Sequence, residues 1–102
     1  MKPKKTAGYV IVRSYGAGVF SGKLKSRTAE VAGISVVLDD CIRLHRWTGC
    51  SLSQVARDGV AGTGENRFSV RTNAHEINGV IEIIPQSPAS RKVIEEVKTW
   101  EI

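Results

Sequence analysis

The run Tyr15-Gly16-Ala17-Gly18-Val19-Phe20-Ser21-Gly22 constrains the chain most, because its glycines sit between two segments that both read as strands. Tyr9 to Ser14 is rich in β-branched and aromatic residues. Val19 to Lys25 alternates apolar or small Phe20, Gly22 and Leu24 with polar Ser21, Lys23 and Lys25. That pattern predicts two strands joined by a turn, the second with one buried face. A glycine-rich turn also brings backbone N–H groups close to an anion. Its setting is positive: residues 1–28 hold seven Lys/Arg and no acid, while residues 29–102 hold eight basic and ten acidic groups. Such asymmetry favours an anionic partner.

Two readings of the turn stand side by side. In one, the glycines only supply positive φ to a hairpin; in the other, they cradle an anion among Arg13, Lys23, Lys25 and Arg27. A dinucleotide-binding fingerprint is excluded, since that motif leads into a helix and this one leads into a strand. A kinase-type clamp is closer in form, but the third glycine falls one position late and the chain is far too short.

At 102 residues the chain has room for one modest core. We read residues 1–7 as a flexible basic arm and 8–102 as a single globular domain. Ile34 to Leu38 reads as a third strand and Asp39-Asp40 as a bend. In Cys41 to Trp47, period two places Ile42 and Leu44 on one face and Arg43, His45 and Trp47 on the other. A guanidinium, an imidazole and an indole in a row suit a planar anionic molecule, and equally a subunit interface. Ser51 and Gln54 have capping-box spacing, with Gly59 as the stop. Arg67 to Arg71 reads as a strand with Phe68 and Val70 inward, and Val80 to Ile84 as a buried strand ending at Pro85. Ser87-Pro88 opens a second helix that packs through Val93, Ile94 and Val97. Trp100 and Ile102 form an apolar tail. The expected fold class is α+β: a small, mostly antiparallel sheet or partly open barrel with two short helices, about 51–58 and 88–98.

Metal binding finds little support, since Cys41 and His45 on one strand would stand about 13 Å apart. No local signature surrounds Cys41, Cys50, His45 or His75 that would mark a nucleophile. The expectation is therefore a protein that is not an enzyme and uses no cofactor or metal. Two cysteines fit a reducing compartment, and no apolar run approaches a membrane span. A basic sequence pI of 9.6 keeps nucleic acid open as a partner.

At residues 9–20, Tyr-Val-Ile-Val-Arg-Ser-Tyr-Gly-Ala-Gly-Val-Phe, the chain resembles a family of small phage and prophage proteins of unknown function. The resemblance continues through Ile42 to Gln54, where that family has two basic residues, Trp-x-Trp, Gly-Ala and Ser-Leu-Ser-Gln. It closes on Val80 to Pro85 and Val97 to Ile102. Ile42 stands in place of the first basic residue and His45 in place of the first Trp, and one residue is missing before Ser51. The resemblance implies a viral origin and the host cytoplasm as the site of action. It also implies the kinds of anion binder found among small phage proteins, including sponges for nucleotide signals of host immunity. The expected function is accordingly a homo-oligomeric sponge for a small anionic, cyclic-nucleotide-type ligand. Arg13, Tyr15, Gly16, Gly18, Arg43, His45 and Trp47 would be its binding residues. An accessory nucleic-acid binder and a protein inhibitor of a host enzyme are the alternatives.

Overall fold

The computed structural model describes residues 8–47, 50–60 and 65–100. The basic arm, residues 48–49 and 61–64, and the last two residues, Ile102 included, lie outside them. Strands β1 (Tyr9–Ser14) and β2 (Gly18–Glu30) form the expected antiparallel hairpin, with Val12 opposite Phe20 and Ser14 opposite Gly18. β2 runs on past Lys25 and turns through Val31 and Ala32 into β3 (Gly33–Arg46). Helix α1 (Leu52–Asp58), the two-residue β4 (Arg67–Phe68), β5 (His75–Pro85) and helix α2 (Pro88–Glu95) follow. β5 pairs antiparallel with both β1 and β3, and β2 pairs with both β1 and β3. The order β2-β1-β5-β3 therefore closes on itself into a small four-strand barrel, with β4 beside β3.

Strand alternation gives the barrel an inside and an outside. Val10, Val12, Phe20, Val36, Leu38, Cys41, Ile77 and Val80 pack inside. Ile11, Ile42 and Leu44 point outward and form a second core with Val55, Ala56, Val60, Phe68 and Ile94 beneath the helices. Each such large side chain, once buried, contributes roughly 1.5–3 kcal/mol. The interior is tight: a Cβ on Gly22 would lie 2.9 Å from the Leu38 Cβ.

The helix signals hold locally. Ser51 Oγ accepts from the Gln54 N–H at 3.3 Å, and Gly59 closes α1 at φ +89. Ser87 Oγ accepts from the Ser90 N–H at 3.0 Å, with Pro88 in the first turn of α2. α2 ends at Glu95, short of the expected residue 98, because the following chain is drawn out alongside β4. Thr99 pairs with Phe68, and the Trp100 N–H donates to the Phe68 carbonyl at 2.9 Å.

Three β-bulges account for most departures from simple alternation. Asp39-Asp40 is not a bend between strands but a bulge inside one: Ser21 pairs with Ile42 and Lys23 with Asp39, and Asp40 takes φ +51. The bulge shifts the parity, so Cys41 and Arg43 continue the inward row begun by Val36 and Leu38. A second bulge, at Ile81, lies between the Arg13–Glu82 and Ser14–Val80 pairs. It leaves Ile81 55% exposed, so this strand is not buried throughout. A third, at His45, lies between the Leu44–Phe68 and Arg46–Arg67 pairs. The strand expected over Arg67 to Arg71 keeps only its first two residues. Beyond them the Arg43 N–H goes to the Ser69 hydroxyl at 2.8 Å instead of a ladder carbonyl, and Val70 points out, 49% exposed.

Candidate functional site

The end of the barrel where β1 turns into β2 is open. Ser14, Tyr15, Gly16 and Ala17 form one side of a cleft of about 460 Å³, and His75 to Gly79 of β5 form the other. Phe20, fully buried, and Arg43 also line it. Barrel mouths are a recurrent place for small-molecule sites, and this volume falls within the usual range of about 300–1,000 Å³.

Arg43 reaches this mouth because of the Asp40 bulge. It pairs with Phe20 across the β2–β3 ladder and lays its guanidinium over the Phe20 ring, 4.8 Å from the centroid. Its Nε is buried and has no hydrogen-bond partner, and among the described residues its guanidinium forms no ion pair. A buried donor left in this state costs about 1–3 kcal/mol, so its presence needs an explanation. His75 stands against the same ring, edge to face at 5.3 Å. Its Nδ1 is 2.8 Å from the Thr72 hydroxyl, which fixes the ring. Burial, and to a lesser degree the Arg43 charge, lower its pKa from the ordinary histidine value.

The sequence-predicted residues separate. Tyr15, Gly16 and Arg43 meet at the cleft. Arg13 instead points outward and pairs with Glu82, Nε to Oε1 at 3.1 Å. Gly18, at φ +107, opens β2 and does not line the cleft. The row Arg43, His45, Trp47 is broken by the bulge at His45. The His45 ring packs edge-on against Trp100, with centroids 5.5 Å apart. Trp47 joins the core under the helices and donates its Nε1–H to the Cys50 carbonyl at 3.0 Å.

The turn offers less to an anion than three glycines suggest. The Tyr15 N–H donates to the Gly79 carbonyl and the Ala17 N–H to the Ser14 hydroxyl. Gly16 alone of these three keeps its N–H without a partner among the described residues. Ser14, Ala17, Phe20 and the whole segment from His75 to Gly79 line the cleft without having been singled out by local patterns. His75 lies outside the region of the glycine turn, and only the pairing of Leu38 with His75 brings it to the mouth.

The other cysteine and acid candidates are structural. Cys41 lies in the barrel core, and burial pushes its thiol up to about 11, which keeps it protonated and unreactive at neutral pH. Asp40 is held by the Tyr9 hydroxyl at 3.0 Å, by Arg71 at 3.2 Å and by Arg91 at 3.0 Å. Burial opposes its charge, but these three partners together keep its pKa below the usual carboxylate value. Among the described residues no group of three or more His, Cys, Asp or Glu could hold a metal ion, and no helix is long and apolar enough to cross a membrane.

Residues 7–94 match the model of a family described as a domain of unknown function, DUF6948. No curated protein and no solved structure matches the chain.

Proposed function

We propose that this chain, which belongs to the DUF6948 family, is a non-enzymatic binding protein whose barrel mouth captures a small anionic ligand of nucleotide type. One observation carries the reading: among the described residues, Arg43 has a buried, unbonded Nε and no carboxylate partner, in a cleft wide enough for a small molecule. A phosphate oxygen supplies what that guanidinium lacks, through charge-assisted hydrogen bonds. The Gly16 N–H stands at the edge of the same cleft. Tyr15, 90% exposed, offers a ring on which a base can stack.

The resemblance to phage proteins extends this reading to a sponge for a cyclic-nucleotide defence signal in the host cytoplasm. A sponge needs affinity and abundance, not turnover. The open cleft with Tyr15 on its rim supports an assembly in which a second copy closes the site. A second reading, an accessory nucleic-acid binder, is favoured by Lys23, Lys25 and Arg27, all exposed along β2. Lys25 has only a 4.0 Å contact with Asp39.

The test is to denature the purified protein and identify released small molecules by mass spectrometry, with native mass reading the subunit count. Direct titration with 3′,5′-cyclic mononucleotides follows. Arg43→Met keeps the Phe20 ring covered and should weaken binding about tenfold to hundredfold, the equivalent of a lost charged hydrogen bond of about 1.5–3 kcal/mol. Binding unchanged by that substitution would rule out this cleft. Loss of binding on deletion of residues 1–7, with a steep salt dependence, would favour nucleic acid.

A further inference from the structure

We infer that His75 is a second anion-binding residue of the barrel mouth and makes capture proton-linked, the cleft taking up one proton as the phosphate group enters. The inference rests on the nucleotide-binding reading and goes beyond it in naming a residue, a charge state and a pH dependence.

The geometry carries it. Arg43 from β3 and His75 from β5 both contact the Phe20 ring, at 4.8 and 5.3 Å, and both line the cleft. Thr72 engages only Nδ1 of His75, and Nε2 has no hydrogen-bond partner among the described residues. An imidazole anchored at one nitrogen and unbonded at the other is placed to donate from Nε2 to an incoming oxygen once protonated.

The charge count of the cleft explains why the proton matters. Arg43 brings one positive charge to the cleft, and Glu76, paired with Val37, lies at its rim on the outward face of β5. With His75 neutral the inner face of the cleft has one positive charge; with His75 protonated it has two. The other groups around His75 do not supply that change. Cys41 on β3, beside Thr72, keeps its proton with its pKa at about 11. Asp39 on β3 is occupied by the Ala74 N–H at 2.8 Å and by Lys25. Tyr15 on the turn is a phenol, and Phe20 on β2 does not titrate. In the empty protein, burial and Arg43 disfavour the imidazolium. A bound phosphate beside both rings reverses that balance, so the bound form holds the proton more tightly than the empty form.

The experiment is calorimetric titration of the full chain with a 3′,5′-cyclic mononucleotide from pH 5.5 to 8, in buffers of differing ionisation enthalpy. The phosphodiester keeps one charge throughout this range, so any proton taken up belongs to the protein. We expect uptake approaching one proton per site in the middle of this range, and so binding about twentyfold to hundredfold tighter at pH 5.5 than at 7.5. His75→Gln should flatten the profile and abolish the uptake. His45→Gln, whose ring lies against Trp100 away from the cleft, should leave both as in the native chain, and Glu76→Gln should preserve the uptake. Binding without proton uptake, or uptake that survives His75→Gln, overturns the inference and leaves the nucleotide reading standing. No binding at any pH overturns both.

Discussion

Two arginines of this protein live in opposite conditions, and the difference separates a structural role from a proposed binding role. Arg91, on α2, is 4% exposed, and its donors are all engaged. It reaches the Ser21 carbonyl at 3.1 Å, the Ser21 hydroxyl at 2.9 Å, the Asp40 carbonyl at 2.8 Å and Glu95 at 2.7 Å. Its guanidinium also covers the Tyr9 ring at 4.5 Å. Ser21 passes the network on to Gln86, and Gln86 to Ser90. This is a clamp that fixes α2 to the barrel at the Asp40 bulge. Arg43 sits past the same bulge, over another aromatic ring, with its Nε buried and unbonded. Buried polar atoms of a folded chain nearly always find a partner, and the Arg43 Nε finds none among the described residues. The clamp is complete within the chain, and the mouth is not.

The comparison breaks most visibly at Arg91. Arg91→Ala should lower unfolding free energy by about 3–5 kcal/mol, because Asp40 and the Ser21 groups lose a buried partner. Urea titration reads this directly. If Arg91→Ala is as stable as the native chain, the clamp is ornamental and the contrast fails. The glycines give the next largest difference. Gly22→Ala, in the wall beneath the clamp, drives a Cβ into Leu38 and should cost about 1–3 kcal/mol. Gly16→Ala, at the mouth, meets nothing within 4 Å, and its stability should change by less than about 0.5 kcal/mol. Arg43→Met should likewise stay within about 0.5 kcal/mol of the native chain, or gain, since it removes an unbonded buried donor. The smallest effect is that of pH on the empty protein. His75 binds its proton less readily folded than unfolded, so its contribution is fully present above the ordinary histidine pKa of about 6.5 and is lost as pH falls from there through the lower folded value. His75→Gln should remove this component from the stability–pH curve.

Much of the fold was legible because its signals are local. The β1–β2 hairpin followed from β-branched runs around glycines, and both helix starts from serine caps. The same reading left an open sheet and a partly open barrel side by side, because closure depends on β5 pairing with two strands distant in sequence. The row Arg43, His45, Trp47 shows the limit more sharply. Period-two reading assumes an unbroken strand, and a bulge at His45 sends its three members to three different places. The same physics worked in favour of Arg43. A bulge at Asp40 put it on the inner row at the open end, where no spacing rule would have paired it with His75.

The central claim is that Arg43 takes the phosphate group of a nucleotide at the barrel mouth. The most direct measurement is nuclear magnetic resonance of isotopically labelled protein, following the Arg43 Nε–Hε signal as a 3′,5′-cyclic mononucleotide is added. The account predicts a saturable shift of that signal, together with the backbone amides of Tyr15 to Ala17 and Asn78 to Gly79. An Arg43 signal unmoved at saturation, with shifts confined to the basic arm, to Lys23 through Arg27, or to the surroundings of Trp100, would contradict it.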